Sequence, residues 1–219
     1  MDESTHREKI LKKVRNALIS KTANPYPNLD MDSSVFNDSG LPAEVEFAEQ
    51  FTAQNGQFVL CNDRVELMES LLLLCDNHKF KDVVCIDRNL SAFFDEFEFP
   101  HQSVFEYETD TNIEAAIVPC ECLVTRTGGI VYSQQVLTDE RILEAAHNII
   151  VIAHAYQLAT DLNEALSYIK ANNSGILPSP LLMINGKVKL NLHDDDATKN
   201  AASQNVIVVL VQHDMGEKE

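Results

Sequence analysis

The chain has 219 residues, of which 45% are hydrophobic and 23% charged; this ordinary globular usage excludes wholesale disorder and allows one sizeable core. Its formal net charge of −17 disfavours nucleic acid and anionic membrane surfaces, because like charges repel phosphate. No apolar run approaches the roughly 18 residues of a membrane span, and the start M-D-E-S-T-H-R-E-K lacks the basic-then-apolar order of a signal peptide. A cytoplasmic location is expected, and an odd number of cysteines without small-domain spacing suits a reducing compartment.

Residues 4–20 place Ile10, Leu11, Val14, Leu18 and Ile19 on one face with Lys and Arg opposite, the spacing of an amphipathic helix. Asn24-Pro25-Tyr26-Pro27 and Asp38-Ser39-Gly40-Leu41-Pro42 bracket a segment with no clear period, since X-Pro pairs favour extended backbone. Residues 1–42 therefore read as a helix and linker able to pack on the body or on another subunit, which leaves a homo-oligomer open. Residues 43–219 read as one α/β domain.

From Glu44 the pattern alternates: a helix to Gln54, a strand 57–61, a helix 63–76, a strand 82–87 and a helix 90–97. Short apolar strands separated by helices predict a mostly parallel sheet covered on both faces, with the strands of 57–97 adjacent. Strands after Val118, after Gly129, at 149–153 and at 206–211 are expected to extend the same sheet, with a helix over 161–170. Asn185-Gly186 between β-prone runs signals a type I′ hairpin. Cys61, Cys75 and Cys85 lie in apolar surroundings and read as small buried hydrophobes.

The chain is organised around Ile117 to Ser133, I-V-P-C-E-C-L-V-T-R-T-G-G-I-V-Y-S. Two apolar runs flank Thr125, Arg126, Thr127, Gly128 and Gly129, where the glycines permit positive φ or close backbone approach. An exposed turn here would gather two hydroxyls, a guanidinium and free backbone N–H groups around a small anionic metabolite. An ordinary hairpin satisfies the same pattern and is the commoner outcome.

Other candidates each have a bland counterpart. Glu121 offers a general base or acyl acceptor if it is enclosed, and a partly exposed strand residue if not. His147 and His154, near one strand's ends, offer acid–base chemistry or simple capping. Cys120 and Cys122 would share one face of a strand, but with no second thiol pair and no ferredoxin spacing, neither a metal nor another cofactor is expected. The acidic run His193-Asp194-Asp195-Asp196 reads as a solvated loop. Phosphate-loop, dinucleotide and serine-hydrolase motifs are absent from the sequence.

R-E-K-I-L-K-K-V-R-N-A-L at 7–18, F-A-E-Q-F with Gly56, the stretch 117–133, and H-N-I-I-V-I-A-H-A-Y-Q-L-A-T-D-L-N-E-A-L at 147–166 together resemble the LUD domain family, the group that includes lactate-utilisation protein C. The resemblance implies a three-layer α/β/α fold like that of sugar-phosphate isomerases and coenzyme A transferases. It also implies a place in L-lactate oxidation to pyruvate beside iron–sulfur partner proteins. Glu121 matches the family's acid, whereas Arg126 and Gly129 replace an acid and a threonine around its Thr-Gly pair. Two functions follow: an accessory subunit that binds a small organic acid or partner subunits, or an enzyme acting on a carboxylate, phosphate or thioester through Glu121.

Overall fold

The structure, a computed structural model, describes residues 6–19, 40–104, 113–137, 139–188 and 204–213. The chain divides into two compact units, Met1–Ser39 and Gly40–Glu219. In the first, α1 (His6–Ile19) is a helix as its periodicity predicts, with Glu8 in its first turn favourable to the helix dipole and Ile10, Leu11 and Val14 exposed. Most of the expected linker and the acidic run 193–196 lie outside the described residues.

The second unit begins with α2 (Ala43–Ala53), β1 (Gln57–Cys61), α3 (Arg64–His78), β2 (Val83–Val84), α4 (Arg88–Glu96) and β3 (Ile113–Pro119). There follow β4 (Cys122–Val124), β5 (Gly129–Ser133), α5 (Ile142–Ala145), β6 (Ala146–His154), β7 (Leu158–Ala159) and α6 (Leu162–Asn172), then β8 (Leu181–Ile184), β9 (Lys187–Val188) and β10 (Gln204–Val211). Three helices start where a carboxylate meets free N–H groups. Asp63 accepts from Val65 and Glu66, Asp87 from Asn89 and Leu90, and Asp161 from Glu164.

The main sheet runs in the order β1-β10-β6-β3-β2, all parallel, with the short β9 antiparallel to β10. Side chains alternate across it. Val206, Val208 and Leu210 of β10 enter the core with α2, α5 and β4–β5, whereas Ile207, Val209 and Val211 pack with α3 and α4. Helices therefore cover both faces, the α/β architecture expected.

Several expectations need correction. The strands of 57–97 are parallel but not adjacent, for β1 and β2 lie at opposite ends of the order. The βαβ rhythm specifies direction, not neighbours, and the apolar β10, buried on both faces, takes the place beside β1. Neither the strand after Val118, which is β4, nor the strand after Gly129, which is β5, extends the main sheet. Both belong to a second sheet, β7-β4-β5-β8, whose inner face joins the main core and whose outer face packs Cys122, Val124 and Val131 under α6.

Nor is Asn185-Gly186 a hairpin turn. β8 pairs with β5 and β9 with β10, so these two residues carry the chain from one sheet to the other. Neither has the positive φ that a type I′ turn needs. A Cβ on Gly186 would sit 2.3 Å from the Gly56 nitrogen, so glycine here serves a close backbone approach. The predicted strand 82–87 is shorter, only Val83–Val84, because Asp87 already caps α4.

Gly128 has φ +60°, and a Cβ there would lie 2.7 Å from the Phe51 backbone nitrogen. Both strain and clash oppose any side chain, so Gly128→Ala is expected to cost more than about 2 kcal/mol. Loss of the α3 cap in Asp63→Ala should cost about 1 kcal/mol. Urea unfolding of the two variants checks the order, and an unchanged midpoint for Gly128→Ala would contradict the packing described.

Candidate functional site

The stretch 117–133 turns out to be β3, a bend, and a β4–β5 hairpin paired Cys122 with Val131 and Val124 with Gly129. Its open end carries Glu121, only 8% exposed. The Glu121 N–H donates to the Val131 carbonyl at 2.8 Å, and its Oε1 accepts a short hydrogen bond from the Ser133 hydroxyl. Gln157 spans the join by donating to the Cys120 carbonyl at 2.6 Å and accepting from the His154 N–H at 2.7 Å. Glu121 is thus an enclosed carboxylate on a braced backbone rather than a partly exposed strand residue.

Topology adds to this placement. β2 leads into α4 on one face of the main sheet, while its neighbour β3 leads into the hairpin on the other. Adjacent strands that exit to opposite faces leave a crevice at their carboxyl ends, the usual ligand position in open α/β sheets. Cys120 and Glu121 follow β3 at that edge.

The closed end, Thr125 to Gly128, is packed against α2. Thr125 is 1% exposed, and its hydroxyl donates to Glu46 Oε2 at 2.8 Å. Arg126 Nη1 lies 3.5 Å from Asp161 Oδ2, and the Thr127 carbonyl accepts from Gln54 Nε2 at 2.6 Å. The expected free N–H groups are not free: those of Thr125, Arg126, Thr127 and Gly128 donate to the carbonyls of Ala159, Thr160, Val124 and Thr125. The parallel partner β7 and the residue after it take up the first two donors, and the turn's own carbonyls take up the other two. Gly129 has no positive φ, but a Cβ on it would press on Met183. An external anion at this turn would have to displace the protein's own Asp161 and Glu46.

The structure does not bring the candidates together. Glu121 and Arg126 occupy opposite ends of the hairpin, about 15 Å apart along an extended chain. His147 is exposed at the amino end of β6, level with Glu114 of β3, so it lies roughly 20 Å from Glu121 at the other sheet edge. His154 is at the correct edge, its ring stacked on Tyr156 with centroids 5.2 Å apart. Ser133 and Gln157 were not singled out as site residues, although a lone polar residue closing an apolar strand and another just beyond β6 were visible signals.

Cys120 and Cys122 do not share a strand face. A bend separates them, Cys120 entering the main core and Cys122 the layer under α6. Among the described residues no group of three or more His, Cys, Asp or Glu could hold a metal. Burial pushes the Cys120 thiol well above its ordinary range and Cys122 up to about 12, with Glu121 adding to both. Burial likewise raises Cys85 to about 12 and the Tyr132 phenol well above its usual value. Cys75, expected to be buried, is half-buried on α3.

No protein-family model matches the chain, and no curated protein matches it. Among solved structures it is similar to a DUF162 family protein from Deinococcus radiodurans, with a TM-score of 0.58 and 13% identity over 78% of this chain and 96% of that one. At that identity the likeness shows the fold, a mostly parallel sheet with helices on both sides.

A raised thiol pKa favours the protonated form in the folded protein. Its stabilisation is complete below the unfolded thiol's pKa of about 8.5 and is lost as pH rises through the folded value. At pH 8 a disulfide reagent should therefore modify Cys75 first and the four other thiols slowly, with all five reacting after unfolding. Cys75→Ser should remove the fast phase, and rapid modification of Cys120 or Cys122 in the native protein would contradict their enclosure.

Proposed function

We propose that this chain is a LUD-like protein that acts on a small carboxylate, phosphate or thioester through Glu121, at the carboxyl edge of its main sheet. One observation supports this most: Glu121 is enclosed, hydrogen-bonded by Ser133 and braced by Gln157, although nothing in the packing of a hairpin end requires a carboxylate. Enclosure is what distinguishes a reactive carboxylate from a solvated one. With a thioester, a Glu121 oxygen would attack the acyl carbon, the C–S bond would break, and a thiolate would leave a glutamyl anhydride. With a carbon acid, the same oxygen would accept a proton.

A second reading is an accessory subunit of a lactate-oxidising system that binds a small organic acid or iron–sulfur partner proteins in the cytoplasm. The DUF162 neighbour favours it, DUF162 corresponding to LUD domain-like proteins. In that reading Thr125, Arg126, Thr127, Gly128 and Gly129 hold the acid once Asp161 releases Arg126, and Glu121 is not needed for chemistry.

Two variants separate the readings. Purified protein is assayed against a panel of short-chain acyl-coenzyme A esters and small carboxylates, by turnover and by thermal shift. The enzyme reading expects Glu121→Gln to lose roughly 100-fold or more in turnover with the Tm nearly unchanged, since the amide keeps an acceptor for Ser133. Arg126→Ala should leave that turnover intact. Full turnover in Glu121→Gln would overturn the enzyme reading, whereas an acid-induced thermal shift abolished only by Arg126→Ala would establish the second.

A further inference from the structure

Beside Ser133, where β5 runs next to β8, lies a cavity of about 210 Å³ bounded by Tyr132, Leu137, Pro180, Leu181 and Leu182. It is larger than the ~150 Å³ cavity that holds benzene, so a six-membered ring with a short arm fits. The walls are mostly hydrocarbon, and three things determine the polarity of what they hold.

First, among the described residues no lysine, arginine or histidine lines the cavity, and Glu140 is the one carboxylate in its lining. Second, the buried Glu121 carboxylate lies directly behind Ser133. Third, Ser133 is committed. Its hydroxyl donates to Glu121, while its oxygen accepts from the N–H groups of Gln135 at 3.2 Å and Val136 at 3.4 Å. It has no hydrogen left for an incoming carboxylate.

A negatively charged ligand would therefore meet two like charges, with the neutral Tyr132 and Gln134 side chains and no cation among the described lining residues to offset them, which disfavours it in an apolar enclosure. A ligand with an ammonium group meets Glu140 instead, and the net charge of −17 raises the local concentration of cations. We propose that this cavity binds a small primary amine with an apolar body, its ammonium on Glu140 and its body against Leu137, Pro180 and Leu182. The proposal goes beyond the reading of Glu121 as a reactive carboxylate and does not depend on it.

The test is calorimetric titration of the full chain with phenethylamine, 2-phenylethanol and 3-phenylpropionate, which share a ring and differ in the charge of the head. Phenethylamine should bind the wild-type protein at least about tenfold more tightly than 3-phenylpropionate, with the alcohol between. In Glu140→Gln the amine and acid should come within about threefold of each other. Leu182→Trp, which fills the mouth from a partly exposed position, should abolish amine binding. Equal or tighter binding of the acid to wild type, undiminished amine binding in Leu182→Trp, or no amine binding at millimolar concentration would each overturn the proposal. The comparison among wild-type titrations decides the charge preference whichever variants fold.

Discussion

A hairpin buried on both faces must find partners for every polar group at its two ends, because an unmet buried donor or acceptor costs as much as a lost hydrogen bond. The β4–β5 hairpin meets most of that demand with side chains from several elements, the buried Tyr132 hydroxyl being left without a partner among the described residues. At its closed end Glu46 and Gln54, from α2 and its C-cap, and Asp161, the cap of α6, take up Thr125, the Thr127 carbonyl and Arg126. At its open end Gln157 and Ser133 hold Glu121. These bonds tie α2, α6 and the main sheet to one short segment, and the layered order of the unit depends on them.

The two ends differ in what they leave over. At the closed end the described donors already face protein acceptors, two of them carboxylates, so the local chemistry is complete without a ligand. The open end encloses a carboxylate whose one side-chain hydrogen-bond partner among the described residues is the Ser133 hydroxyl. A charge kept in an enclosed place with one partner costs stability that a neutral residue would save. That cost is the physical argument for function at Glu121 rather than at Arg126.

Much of this was legible in the sequence. Asp63 and Asp161 stand where helices were expected to begin, and each caps one, whereas Asp87, expected to end a strand, caps a helix that starts before the expected residue 90. The apolar runs at 57–61, 149–153 and 206–211 are strands of one parallel sheet. Strand order was not legible, because local pattern carries no record of which distant strand lies alongside, and β10 enters between β1 and β6 from the far end of the chain. The second sheet was hidden for a related reason. G-I-V-Y-S has the near-continuous apolar pattern of any buried strand, and only its pairing with β4 and β8 assigns it to a separate layer. At the turn, the pattern Thr-Arg-Thr-Gly-Gly correctly marked a hairpin with a positive-φ glycine, but the distant acceptors that help fill it come from residues 46 and 159–161.

The most direct test of the division between the two ends is a backbone and methyl NMR map of the labelled protein titrated with a small carboxylate and with a short-chain acyl thioester. The account predicts that perturbed signals gather around Glu121, Ser133 and Gln157, with Thr125 to Gly129 unmoved. Perturbations confined to Thr125 to Gly129, with Glu121 and its partners silent, would contradict it.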